Sequence, residues 1–311
     1  GETYISKEEM NKHGIVAYEL GKKIGFETGD KVLNINGEDF EKFRDLRSGD
    51  VLLSTDGFYT VKRDGETIRV SIPNNFIDNF ADRDNQIPFI DIRRPFEVGQ
   101  VVPESNAEEG GLQPGDRFLS VNGEDVQYFD EFSSALDTLK GQEIAATVDR
   151  KGQRVPLTFE VTEEGTLGFE AVPLLELSRI EYGFFESISK GTAHAFNVVW
   201  INVKAFGKMF SGDVSPSKSL AGPIGIARIF GGSWDWLNFW HITGLLSMIL
   251  AFMNFLPIPA LDGGHVMFLT WEIVTGRKPS DKFLENAQKV GMVLLLGIMT
   301  YAIFNDITKL F

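Results

Sequence analysis

The chain has 311 residues, no cysteine and a formal net charge of −14 at pH 7. The missing cysteines exclude a disulfide framework and any thiolate metal centre, so a bound metal would have to rest on His, Asp and Glu. The length allows two or three domains. The acidic excess lies in the first 180 residues, because from residue 211 onward seven Lys/Arg balance seven Asp/Glu. An acidic soluble part argues against nucleic acid or anionic lipid as its partner.

Taken in order, the chain first shows an internal repeat. Gly25-Phe-Glu-Thr-Gly29-Asp30-Lys-Val-Leu-Asn-Ile-Asn36-Gly37-Glu-Asp aligns with Gly111-Leu-Gln-Pro-Gly115-Asp116-Arg-Phe-Leu-Ser-Val-Asn122-Gly123-Glu-Asp at a constant offset of 86. Such a period marks a duplicated domain-sized unit. Each copy reads as a Gly-Asp turn, an alternating strand and an Asn-Gly hairpin turn that favours positive φ. A short helix follows, Phe43 to Leu46 and Phe129 to Leu139, and then strands from Tyr59 and from Ala145. The expected boundaries are 1–78, with its opening strand missing as if cut, and 88–172. The repeat resembles bacterial PDZ domains, whose Gly-Leu-x-x-Gly-Asp-x-Ile-x-x-Ile-Asn-Gly segment is matched best by 111–123. The resemblance implies binding of extended peptides at a sheet edge; a spacer or size filter without a peptide ligand stands beside it. Gly165-Thr-Leu-Gly168-Phe169 is superficially similar to a carboxylate-binding loop, but it follows the repeat rather than preceding it.

From Phe184 to Phe210 apolar residues recur at 185, 188, 196, 199, 203, 206 and 210, the spacing of an amphipathic helix. Lys190, Lys204 and Lys208 lie off that stripe. The helix could lie on a membrane surface, cross a cleft, or pack ordinarily; with its connector it takes 180–233. Trp234, Trp236, Phe239 and Trp240 then form an aromatic belt. Between Asp235 and Asp262 stand 26 residues without a charge, enough to cross a bilayer core of roughly 30 Å. A second uncharged run covers 290–305, and Arg277, Lys278 and Lys282 crowd the connection between the two. The positive-inside rule puts that connection in the cytoplasm and the repeats outside. The fold class expected is an α+β multidomain membrane protein, with a two-helix membrane domain over 234–311.

The first apolar run ends in Asn254-Phe-Leu-Pro257-Ile-Pro259-Ala-Leu-Asp262-Gly-Gly-His265. Two prolines break the helix, and a carboxylate follows at a depth where ionisable groups are costly and mark function. The stretch resembles the N-x-x-P-x-P-x-L-D-G signature of the site-2 protease family of intramembrane zinc metalloproteases. Ser219-Leu-Ala-Gly-Pro-Ile is similar to that family's S-G-P-I segment. The resemblance implies that Asp262 is a zinc ligand and that Asn254, Pro257 and Pro259 border the substrate cleft. His265 is then a group bonding the carboxylate or nearby backbone, or less simply a ligand itself. Asp262 capping the next helix is the structural alternative.

The family also uses His-Glu-x-x-His, two ligands on one helix face with a general base between them. The four histidines, His13, His194, His241 and His265, include no such motif. The expectation is a C-terminal portion that begins after the first spans, carries one ligand of three and is inactive alone. The resemblance implies transmembrane or signal-peptide substrates such as anti-sigma factors, a bacterial inner-membrane location and extracytoplasmic PDZ-like domains that take a peptide or a substrate ectodomain. A membrane-anchored PDZ adaptor without chemistry is the rival; half of a transporter is a weaker one, since two spans supply little of the expected repeat.

Overall fold

The computed structural model describes residues 1–80, 88–215, 222–230 and 235–308. Trp234 of the aromatic belt and residues 219–221 of the Ser219 segment fall outside them. The described residues form two compact units, one from residues 1–51, 56–73 and 88–181, the other from 52–55, 74–80 and 182–308.

The first unit is α+β and repeats one plan twice. The first copy runs α1 (Lys7–His13), β2 (Ile15–Ala17), α2 (Glu19–Ile24), β3 (Lys31–Ile35), α3 (Gly49–Leu52), β4 (Phe58–Arg63), β5 (Glu66–Ser71) and β6 (Ile90–Ile92), after a leading strand β1 (Glu2–Tyr4). The second runs β7 (Phe96–Val101), α4 (Asn106–Glu109), β8 (Arg117–Val121), β9 (Glu124–Asp125), α5 (Phe129–Thr138), β10 (Glu143–Arg150), β11 (Gln153–Glu160) and β12 (Phe169–Pro173). In each copy the opening strand pairs antiparallel with the closing one, β2 with β6 and β7 with β12. In each, too, a meander carries the hairpins, in the order β3-β4-β5 and β11-β10-β8-β9. Finally β1 pairs with β13 (Ser178–Ile180), joining the two ends of the unit.

The first copy therefore has its opening strand, which corrects the expectation of a missing one. It also extends to Ile92, beyond the expected boundary at residue 78 and into the 88–172 span given to the second. The strand escaped notice because it is only Ile-Val-Ala, wholly buried, with no polar alternation to announce it. Its partner lies at Ile90–Ile92, beyond the reach of local pattern.

Shared sequence gives shared bonding. Asn36 and Asn122 sit at φ 53° and 49°, each before a glycine at positive φ, as a two-residue hairpin turn demands. Their side-chain oxygens accept from the Phe58 and Ala145 backbone N–H at 2.8 and 2.9 Å, which ties each turn to the next strand. Asp30 and Asp116 are buried, and each receives a bidentate arginine. Arg63 donates to Asp30 at 2.7 and 2.8 Å, and Arg150 to Asp116 at 2.8 and 2.6 Å. Each arginine also reaches a glycine carbonyl, Gly25 or Gly111. The paired carboxylate raises each guanidinium's pKa.

Aromatic rings fill both cores. Phe26, Tyr59 and Phe89 cluster in the first copy, with Tyr59 donating to the Leu46 carbonyl at 2.6 Å. Phe118 and Phe132 meet at 4.4 Å between ring centres in the second, beside Phe96 and Phe169. Each buried aromatic contributes about 2–3 kcal/mol from area removed from water.

The second unit is helical: α6 (Phe184–Ser211), α7 (Pro223–Ile229), α8 (Trp236–Phe255), α9 (Asp262–Thr275) and α10 (Asp281–Thr308). Two of these, α8 and α10, are long and apolar enough to cross a membrane. On α6 the apolar stripe is real but largely exposed, Phe185, Phe196 and Phe210 included. Phe206 of the stripe packs on Phe252 of α8 at 5.6 Å between ring centres, and the charged face adds a second anchor. Lys208 is buried, and its ammonium donates to the Ser54 and Asn74 carbonyls at 2.9 and 3.2 Å. Ser215, just beyond the Gly212 C-cap, donates through N and Oγ to the Asp78 carboxylate.

Candidate functional site

The site grows out of the end of α8. The helix stops because Pro257 and Pro259 lack the N–H groups that would continue it. Leu256 swings to ψ 142°, and the chain descends through an extended turn in which Leu261 N–H donates to the Ile258 carbonyl at 3.0 Å. Ala260 sits in the turn at φ 85°, a left-handed conformation unusual for a residue with a Cβ. Helix α9 then begins at Asp262.

Three glycines let the turn fold tightly. A side chain at Gly263 would run into the Phe255 and Leu256 carbonyls, and one at Gly264 would lie 2.5 Å from the Ile258 carbonyl. From another helix, Gly291 of α10 presses against the Pro259 carbonyl. The Gly263-Gly264 pair was readable as a turn, but its function here is close approach of backbone to backbone.

Asp262 is exposed, and among the described residues its carboxylate accepts no hydrogen bond and forms no ion pair. It does not cap α9, whose N-cap is Leu261 without a side-chain bond, so the capping alternative falls. Asn254, in the last turn of α8, is likewise exposed and makes no side-chain hydrogen bond among the described residues. Pro257 and Pro259 frame the turn between these two polar groups. His265 is exposed on the first turn of α9 and makes no bond to Asp262. His241 is held elsewhere, its ring stacked 6.1 Å from that of His194 on α6.

A free carboxylate on a rigid turn suits one position of a zinc site. The described residues hold no group of three His, Cys, Asp or Glu that could complete one.

Sequence reading overlooked one further carboxylate. Asp306, near the end of α10, is buried and accepts from the backbone N–H of Gly222 and Gly225 at 3.0 and 2.9 Å, fixing the start of α7. Its signal was available: an acid in the last turn of an apolar helix needs a partner.

Comparison with known proteins completes the picture. The profile of "Peptidase family M50" matches residues 16–298. "Regulator of sigma-E protease RseP" of Escherichia coli is 30% identical over 223 residues, covering 68% of this chain and 49% of that protein. "Protease RseP" of Photorhabdus luminescens is 31% identical over 226 residues, covering 68% of this chain and 100% of that sequence. Among solved structures, the PDZ domain of the SdrC-like protein of Listeria monocytogenes matches 25% of this chain and 88% of that one, at 19% identity and a TM-score of 0.23. The chain spans about half the length of the first curated relatives it matches. With a match extending over nearly all of its residues, the chain belongs to peptidase family M50, among RseP-like site-2 proteases.

Proposed function

We propose that this chain forms part of an intramembrane zinc metalloprotease that cuts transmembrane segments of other proteins, and that Asp262 is one of its zinc ligands. The observation that carries the reading is the free Asp262 carboxylate, presented on a proline-broken turn at the end of a span-length apolar helix. Irregular backbone and an unpaired acid at that depth fit a water-accessible cavity rather than a lipid-facing surface.

Zinc, when bound, supplies Lewis-acid activation for peptide hydrolysis. The chain's own residues would do the rest. Asp262 offers its carboxylate without first having to break another bond. Asn254 offers a free amide to the backbone of a substrate segment unwound from its helix, and Pro257 and Pro259 hold the cleft edge in an extended shape. Unwinding matters, since a helical substrate keeps its carbonyls in internal hydrogen bonds. His265, one turn along α9, makes no bond to the carboxylate and is given no part in holding it.

The two repeated β-rich copies read as tandem PDZ-like domains. In the second, β12 pairs with β7 on one side and has no strand partner on the other among the described residues. That edge suits an added peptide strand, from a substrate's outer domain or a previously cut end. With Arg277 and Lys278 between α9 and α10 and Lys282 in the first turn of α10, the connection lies in the cytoplasm and the PDZ-like pair on the periplasmic side of a bacterial inner membrane. Relatives named as regulators of sigma-E suggest an anti-sigma factor as substrate class, with remnant signal peptides as the second class.

The test is Asp262→Asn in the full-length protein. Cleavage of a single-span substrate should fall by about 100-fold or more, while peptide binding by the PDZ-like pair persists. Cleavage at the wild-type rate would remove the ligand assignment and leave a membrane-anchored peptide-binding adaptor.

A further inference from the structure

Among the described residues the Asp262 carboxylate has no bond of its own to hold it, so its position is inherited from the backbone of the turn it grows from. That turn is gripped from two sides. Gly263 and Gly264 grip it from within, as the first turn of α9 folds back on residues 255–259. The outer grip is Gly291, in the middle of α10, where an added Cβ would fall on the Pro259 carbonyl and lie 3.1 Å from the Pro259 Cβ. No other glycine in the described residues is packed so closely against backbone.

We propose that Gly291 is a positioning residue for Asp262: by admitting the Pro259 carbonyl against α10, it sets where the carboxylate stands and hence how well the site holds zinc. The inference rests on the reading of Asp262 as a zinc ligand.

The mechanical link is short. Pro259 has a fixed φ and no N–H, so it cannot be pulled into a neighbouring helix. The Leu261 N–H to Ile258 carbonyl bond and the Gly264 N–H to Leu261 carbonyl bond, at 3.0 and 3.1 Å, tie Pro259 to Asp262 through a closed turn. A displaced Pro259 therefore carries Asp262 with it. Proline carbonyl and helix backbone are both stiff, so a methyl group cannot be accommodated by rotating a side chain.

The same helix supplies the control. Gly297 lies on α10 with nothing within 4 Å of where its Cβ would be. Gly291→Ala and Gly297→Ala gain the same helix propensity and differ only in what the methyl group meets.

The experiment uses the full-length protein in detergent, with zinc affinity measured by chelator competition and cleavage of a single-span peptide followed in parallel. Gly297→Ala should match wild type. Gly291→Ala should bind zinc about 10-fold more weakly or worse, with kcat falling and KM little changed. If Gly291→Ala fails to fold, the double variant Gly291→Ala/Ala260→Gly gives the turn room, because glycine adopts the left-handed conformation at 260 without strain; it should fold and still show the weakened zinc binding. Wild-type zinc affinity in a folded Gly291→Ala or in that double variant overturns the inference.

Asp262→Asn separates this failure from failure of the underlying reading. If Asp262→Asn leaves zinc affinity unchanged, the ligand assignment is wrong and the inference goes with it. If Asp262→Asn weakens binding and Gly291→Ala does not, only the positioning role is wrong. In the Asp262→Asn background Gly291→Ala should add nothing further, since the group it positions is gone.

Discussion

The two units solve opposite problems. The β-rich unit buries what it is made of: its phenylalanines pack on one another, and two of its buried acids, Asp30 and Asp116, each close on an arginine. The helical unit leaves Trp236, Trp240, Leu250, Trp271, Ile273 and Phe304 exposed, and only 11% and 22% of the apolar windows of its two long helices are buried. A water-soluble surface does not tolerate that much apolar area. The contrast teaches that the first unit is stabilised by its own core, whereas the second takes its stability from polar pins and from whatever surrounds it. Under the proposed reading that surrounding is lipid and the remaining part of the protease.

Substitutions can break the comparison. The largest effect is expected from Phe118→Ala, which removes a ring from the centre of the second copy's core. It should cost about 3–5 kcal/mol, seen as a lowered urea midpoint of the β-rich unit that is the same in every detergent. A detergent-dependent loss would mean that the first unit is not self-sufficient. Lys208→Ala is expected to cost about 1–3 kcal/mol by removing the buried ammonium that donates to the Ser54 and Asn74 carbonyls. Its effect should appear in proteolysis of α6 and leave the second copy's unfolding unchanged; Lys208→Met should do no better, since volume is not what it supplies.

The smallest effect concerns pH. Burial pushes the Glu9 carboxyl upward, but the Glu176 backbone N–H and Lys12 outweigh it, so its pKa lies below the usual glutamate value. The charged form is therefore the stabilising one. Its contribution is complete above the unfolded-state pKa near 4.5 and disappears as pH falls through the folded value. Unfolding midpoints of wild type and Glu9→Gln should differ at pH 7 and converge toward pH 3. A difference that persists at pH 3 would assign Glu9's role to packing rather than charge.

What the sequence disclosed and what it hid can be followed residue by residue. Asp30 with Asp116, and Asn36 with Asn122, were visible because the offset of 86 is exact across β3 and β8. Their partners Arg63 and Arg150 were not, because they stand 87 apart: the second copy has one more residue in the intervening helix region. Lys208 was placed only off the apolar stripe of its helix, a position that carries no sign of burial. Only tertiary structure brings the Ser54 and Asn74 carbonyls to it. In the site, the sequence disclosed the proline break and the acid; it could not disclose that Asp262 declines the cap beside it. Gly291 carried no mark at all, since a lone glycine in an apolar helix looks the same whether it faces open space, as Gly297 does, or another segment's carbonyl.

Ala260 carries one more consequence. Held at φ 85°, it costs the turn about 1–2 kcal/mol relative to a relaxed alanine. The turn is thus a cocked spring rather than a resting shape, and its neighbours supply the catch. Should α10 move away from Pro259 during a reaction cycle, the stored strain would drive the turn, and the carboxylate at its end, toward a different position without any other source of energy.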